Sequence, residues 1–222
     1  MQIKLNNKLV DLSTPAVMGI INATPDSFYE GSRFSADDKL LQTVEQMVID
    51  GVDIIDIGGY SSRPSAGDIS SDEEIKRLSV TLDIILKKFP DLYISIDTFR
   101  ANVAREMVQN YRVAMINDIG GGTLDPLMFE TIANLLLAYV LMHTRGTPQN
   151  MQLNTQYNNV TADVMEFLGQ RISQLHLLGV NDVVIDPGFG FAKTTEQNYI
   201  LLNKLCYFKE LGVPLLAGMS RK

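Results

Sequence analysis

Seven short apolar runs punctuate the chain, and each gives way to a polar or glycine-rich cluster. Val17–Ile21 leads into Asn22-Ala-Thr-Pro-Asp26, Val52–Ile55 into Asp56-Ile-Gly-Gly59, and Leu92–Ile96 into Asp97-Thr98. Val113–Ile116 leads into Asn117-Asp-Ile-Gly-Gly-Gly122, and Tyr139–Met142 into His143-Thr-Arg-Gly146. Val183–Ile185 leads into Asp186-Pro-Gly-Phe-Gly190, and Pro214–Gly218 into Met219-Ser-Arg-Lys222. Continuous apolar runs suit strands buried on both faces of a parallel sheet. Polar groups gathered where such strands end are what a β/α barrel presents at its C-terminal face.

Between the runs the apolar period changes from continuous to helical. Leu40, Leu41, Val44, Met47 and Val48 predict a helix over 36–50 behind a Ser35 cap. Ser71-Asp-Glu-Glu74 reads as a capping box ahead of Ile75, Leu78, Leu82, Ile85 and Leu86 on one face. Asp125-Pro126 signals the start of a helix ending near 136, and further helices are expected over about 160–178 and 195–211. Residues 2–13 alternate around Asn6-Asn7 and predict a small β-hairpin before the main body. Strand and helix patterns therefore alternate, which leaves a barrel or a doubly wound sheet. A Rossmann fold opens with Gly-x-Gly-x-x-Gly after its first strand, and Asn22-Ala-Thr-Pro-Asp26 is no such turn. The expectation is α/β: one (β/α)8 TIM-barrel domain spanning 1–222, with an N-terminal β-hairpin. Only seven of the eight strands are visible, so a further strand and its flanking helices are expected beyond Lys222.

Composition narrows the partners. With 222 residues, 45% of them hydrophobic, the chain can bury a large core. The net charge of −7 and the lack of a basic run argue against nucleic acid. An acidic protein that binds an anion must concentrate cations locally, which draws attention to Arg63, Lys193, Arg221 and Lys222. The single Cys206 excludes an internal disulfide framework and suits a reducing cytoplasm. No 18-residue apolar stretch predicts a membrane span. Two histidines and one cysteine make a His/Cys zinc cage a poor expectation.

Each cluster has a plain reading and a functional one. Asn22 sits among turn formers, or its carbonyl oxygen ligates a hard cation such as Mg²⁺ on phosphates. Arg63 is a solvated loop charge, or the loop around it brings a guanidinium and hydroxyls to a phosphate. Asp97 caps the next helix, or converges with Asn117 and Asp186 on a heterocycle rich in N–H donors, such as a guanine-like or pterin ring. Gly188 and Gly190 let the backbone pass close to a ligand, with Phe189 and Phe191 as candidate aromatic walls. Lys193 is either a surface cation or a phosphate contact, and His143 reads first as a structural residue. Lys222 ends a strand as a bare charge, or reaches the carbonyl of a bound ring while Arg221 faces an anionic co-substrate.

Taken in order, Asn22-Ala-Thr-Pro-Asp-Ser-Phe28, Asp56-Ile-Gly-Gly-Tyr-Ser-Ser-Arg-Pro64, Ser95-Ile-Asp-Thr98, Ile116-Asn-Asp118, Leu141-Met-His143, Arg145-Gly-Thr-Pro-Gln149, Asp186-Pro-Gly-Phe-Gly-Phe191 and Ser220-Arg-Lys222 resemble the dihydropteroate synthase family. The resemblance implies a TIM barrel that joins 4-aminobenzoate to 6-hydroxymethyl-7,8-dihydropterin diphosphate and releases pyrophosphate. It implies that Asp97, Asn117, Asp186 and Lys222 hold the pterin, with Met142 in the same pocket, and that Asn22 helps ligate Mg²⁺. Asp26, Ser27 and Phe28 of the first loop and Ser61, Ser62, Arg63 and Pro64 of the second are implied to close over the aminobenzoate pocket. Phe191 is implied as its wall, with Arg221 beside it. Asp97, Lys222, Arg63 and Asp26 are implied to act in catalysis, and a cytoplasmic homodimer is expected.

Two residues depart from the family pattern: Ser62 stands where threonine is usual, and Tyr60 where glutamate is common. Two other readings compete. One is the pterin-binding domain of a methyltetrahydrofolate-dependent methyltransferase, which needs no diphosphate and so leaves Arg63, Arg221 and Lys222 unexplained. The other is a non-catalytic pterin-binding module, against which the intact Asn22, Asp97, Asp186 and Lys222 stand.

Overall fold

Asn6 and Asn7 both take left-handed backbone angles, φ 47° and 63°, and so turn the chain in two residues between β1 (Gln2–Leu5) and β2 (Lys8–Asp11). That antiparallel hairpin opens a computed structural model that describes residues 1–23, 33–61 and 67–219, with the backbone course alone for 33–36. Six parallel strands follow: β3 (Met18–Asn22), β4 (Ile54–Gly58), β5 (Tyr93–Asp97), β6 (Met115–Asp118), β7 (Ala138–Met142) and β8 (Val183–Asp186). They pair in sequence order, each with the next. A doubly wound sheet reverses its strand order at a switch point, and none occurs among these strands. The fold is that of a TIM barrel. The seventh apolar run, expected as a strand, contributes one parallel bridge among the described residues, Ile185 to Leu215.

The crossovers are α1 (Arg33–Ile49), α2 (Ser71–Lys88), α3 (Ala101–Asn110), α4 (Met128–Leu135) and α5 (Val160–Leu177), with α6 (Thr195–Asn203) after β8. α2 carries Asp72, Glu73 and Glu74 in its first turn and Lys87 and Lys88 in its last, charges that complement the helix dipole. Its cap is Ser70 rather than the expected Ser71. The Ser70 hydroxyl accepts from Glu73 N, while the Glu73 side chain turns to Arg77 at 2.8 Å, so no reciprocal box forms. The true capping box is Thr194 with Gln197 at the start of α6. Ser35 lies inside α1, not at its cap. Asp125 accepts from Leu127 N in a turn that precedes α4. The helix expected over 195–211 breaks after Asn203 and resumes as a 3₁₀ segment, Leu205–Leu211.

Strand residues alternate between two cores. Ile21, Ile55, Ile57, Ile94, Ile96, Ile116, Leu141 and Ile185 pack outward against the helices. Ile54, Met115, Ala138, Val140 and Val184 face inward and meet Ile3 and Leu5 of the hairpin, which stops the lower end of the barrel. No helix among the described residues is long and apolar enough to cross a membrane.

Candidate active site

Inward-facing positions change from apolar to polar on climbing the strands. Parallel register puts Asp56 of β4 level with Ser95 of β5. One step higher, Gly58, Asp97 and Asn117 share a level on β4, β5 and β6. Higher still, Met142 of β7 pairs with Asp186 of β8. The strand ends thus bring Asp97, Asn117, Asp186 and Met142 to one mouth. Asn22 ends β3 in register with Gly58, and its side chain is exposed. Gly58 makes room for its neighbour: a β-carbon there would stand 3.2 Å from Asp97 Oδ2.

The electrostatics of this mouth are unusual for a protein surface. Asp97 is half-buried, and burial, then Asp56, Glu74 and Asp118, hold its carboxyl well above the ordinary range. Burial pushes Asp186 up to about 6, opposed by the Gly188 N–H and by Lys193. Gly188 N donates to Asp186 Oδ1 at 2.7 Å across a left-handed turn, φ 72°. A β-carbon at Gly188 would sit 2.1 Å from the His143 carbonyl oxygen, so only glycine fits. Asp56, which sequence reasoning did not single out, is buried below this level and accepts from Asn117 Nδ2 at 2.9 Å. Burial raises its carboxyl too, with Ser95 and Asn117 partly offsetting the effect. Two carboxyls, Asp97 and Asp186, and the Asn117 amide can hold a flat, neutral heterocycle through its N–H groups.

Asp26, Phe28, Ser62, Arg63, Pro64, Arg221 and Lys222, all expected at this site, lie outside the described residues. Phe191 is half-buried beside the β8 turn, whereas Phe189 packs on the outward core. Among the described residues no three His, Cys, Asp or Glu side chains gather to cage a metal ion.

Comparison with known proteins bears on this mouth directly. The profile of the family described as pterin binding enzyme matches residues 18–222. The chain belongs to the pterin binding enzyme family. A dihydropteroate synthase of Haemophilus influenzae is 42% identical over all of this chain and 80% of its own length. The Yersinia pestis dihydropteroate synthase, solved with a sulfonamide drug complex, superposes with a TM-score of 0.88 at 38% identity, over all of this chain and 80% of that one. The Xanthomonas albilineans enzyme in complex with 7,8-dihydropteroate gives 0.83 at 33% identity, over all of this chain and 79% of that one.

Two features of this pterin binding enzyme lay beyond sequence reasoning. Lys193 is not a surface cation: it is buried, and Nζ donates to the carbonyls of Gly188 and Phe191 at 2.9 Å each. Near the second loop, Arg100 Nη1 donates to the buried Glu74 at 2.7 Å and Nη2 to Asp68 at 3.1 Å. The Arg100 guanidinium also stacks over Tyr60 and Phe99. Tyr60 accepts through its hydroxyl from Gln149 Nε2 at 2.7 Å and so ties the β4 loop to the β7 loop.

Proposed function

We infer that this protein catalyses the dihydropteroate synthase reaction of folate biosynthesis, condensing 6-hydroxymethyl-7,8-dihydropterin diphosphate with 4-aminobenzoate and releasing pyrophosphate. The observation that carries this reading is the convergence of Asp97, Asn117 and Asp186 at one barrel mouth, in a chain that aligns over its whole length with 80% of a dihydropteroate synthase. A neighbour that holds 7,8-dihydropteroate supports the product assignment.

In this reading Asn117 and Asp186 bind the pterin N–H groups and Lys222 reaches its carbonyl. Breaking the C–O bond leaves positive charge on the methylene carbon, conjugated with the ring, and the Asp97 carboxylate lies where that charge develops. A carboxylate kept in a poorly hydrated place interacts with such a cation more strongly than one in water. The neutral aniline nitrogen then attacks the methylene carbon, held by Phe28, Ser62, Pro64, Phe191 and Arg221, and loses its proton to solvent. Arg63 and Asp26 belong to the loops that cover the site and exclude water. Met142, level with Asp186, lines the same pterin pocket.

Asn22 fits one part of a magnesium site, a single hard oxygen at an exposed strand end. Mg²⁺ commonly takes few protein ligands and fills its sphere with waters and substrate phosphates. When bound, the ion would neutralise the departing pyrophosphate. A cytoplasmic homodimer completes the proposal.

The test is pyrophosphate release by the purified protein with pterin diphosphate and Mg²⁺, with and without 4-aminobenzoate. Aminobenzoate-stimulated release together with dihydropteroate supports the synthase. Tight pterin binding without release points to a binding module or a methyltransferase-type domain.

A further inference from the structure

Beneath the level that meets the ring, Asp56 offers a carboxylate that no substrate atom needs to touch. It is 3% exposed, one step below Asp97 and Asn117 on the inward face. Its Oδ2 accepts from Asn117 Nδ2 at 2.9 Å, and among the described residues this is the side-chain hydrogen bond that Asn117 makes. Because Asp56 Oδ2 accepts here, it holds the amino end of the amide and turns the carbonyl end away. Without that partner the Asn117 amide can rotate by half a turn and exchange donor for acceptor at almost no steric difference, because its O and N ends have nearly the same shape.

We propose that Asp56 is a positioning residue that acts through Asn117: it fixes which end of the Asn117 amide faces the pocket and so sets the donor and acceptor order that the ring must match. The Oδ1 atom is then presented as an acceptor, with the second Nδ2 hydrogen beside it. A ring edge carrying an N–H next to an unprotonated nitrogen is complementary to that order. An edge with the two reversed meets donor against donor and acceptor against acceptor. Ser95 lies level with Asp56 on the neighbouring strand and is buried with it. This inference rests on the pterin reading above for the identity of the ring.

A double-mutant cycle between Asp56→Asn and Asn117→Ala tests it, read by calorimetric binding of 7,8-dihydropterin diphosphate and by the KM of each substrate. In Asp56→Asn the new amide can donate as well as accept, so the choice of the Asn117 end is lost. Pterin affinity should fall about tenfold, the size of one misaligned buried polar contact. The KM for 4-aminobenzoate should stay within about twofold. In the Asn117→Ala background the same substitution should change pterin affinity less than about twofold, because the group it acts through is gone. An equal loss in both backgrounds, or an equal rise in both KM values, overturns the proposal and leaves Asp56 a structural residue. If Asp56→Asn does not fold, Asp56→Ser takes its place in the cycle. A wild-type protein that binds the pterin diphosphate but releases no pyrophosphate refutes the catalytic reading alone, since the cycle remains readable by binding.

Discussion

Lys193 Nζ lies 2.9 Å from His143 Nδ1, a contact that joins the turn after β8 to the end of β7. The same ammonium meets the Gly188, Phe191 and His143 carbonyls, which can only accept. His143 Nδ1 must therefore accept from the ammonium, and the ring proton sits on Nε2. Burial, then Lys193 and Arg145, push the imidazole down to about 2. The His143 ring should accordingly stay neutral between pH 5 and 8, with the ¹⁵N pattern of an Nε2-protonated imidazole. An imidazolium signature in that interval would rule out the assigned tautomer.

Replacing Lys193 by methionine removes this clamp while keeping the bulk. The cost should be about 1–3 kcal/mol, since three carbonyls lose a buried donor. Burial pushes the wild-type ammonium down to about 7, with Asp186 opposing. A lysine whose folded pKa is depressed penalises the charged form, fully below about pH 7, and the penalty lifts as pH rises toward 10.5. Wild type should therefore gain stability over Lys193→Met between pH 7 and 10 in denaturant melts. A constant difference across that range would contradict the buried ammonium.

Gly188 and Gly190 differ in an instructive way, although both have positive φ. At Gly188 an added methyl collides with the His143 carbonyl, whereas at Gly190 it meets open space. Gly190→Ala should lose about 1 kcal/mol from backbone strain alone. Gly188→Ala should lose several times more, and should weaken pterin binding because Asp186 loses its backbone donor. Similar melting temperatures for the two variants would refute the close packing of these turns.

Asp97→Asn keeps shape and removes charge. If Asp97 stabilises the developing cation, turnover should fall by about 10²–10³ or more, with pterin affinity changed far less. The fold should be no less stable, because burial already disfavours the ionised carboxyl. Near-normal turnover by a well-folded variant would remove Asp97 from the mechanism.

Asp186 should impose a pH dependence of definite sign. Its carboxyl is raised from 3.8 to about 6, so the folded state prefers the protonated form. That preference stabilises the fold fully below the ordinary carboxylate range and is lost as pH rises through about 6. Relative to Asp186→Asn, wild type should lose up to about 3 kcal/mol between pH 4 and 7. Pterin binding should move the other way, strengthening through pH 6 as the carboxylate becomes an acceptor. Equilibrium dialysis of wild type and Asp186→Asn across this range checks both the sign and the residue.

The strands were legible because each is a continuous apolar run, and the polar residue that closes each run marked the mouth. Asp56 escaped notice for the same reason: it sits inside Ile-Ile-Asp-Ile-Gly, where a single polar letter looks like an early end of the run rather than a buried group. A signal did exist, since Asp56 lies two residues before Gly58 and therefore in the same inward phase. The burial of Lys193 carried no such signal. Its acceptors come from His143 and from turns whose closeness depends on the pairing of β7 with β8. Ser70 and Ser71 are chemically equivalent caps, and only the backbone direction at the helix start decides between them.

The stopper at the foot of the barrel has an electrical consequence. Ile3 and Leu5 lie under the inward residues of β4, β6, β7 and β8, and the backbone of Lys4 is tied to Asp182 at 2.8 Å. These side chains cover from below the floor on which Asp56 sits. Removing residues 1–13 would wet that floor and relax the elevated pKa values of Asp56 and Asp97 together. The far end of the molecule, some strand-length away from any substrate, is in this sense an insulator for the charges that face it.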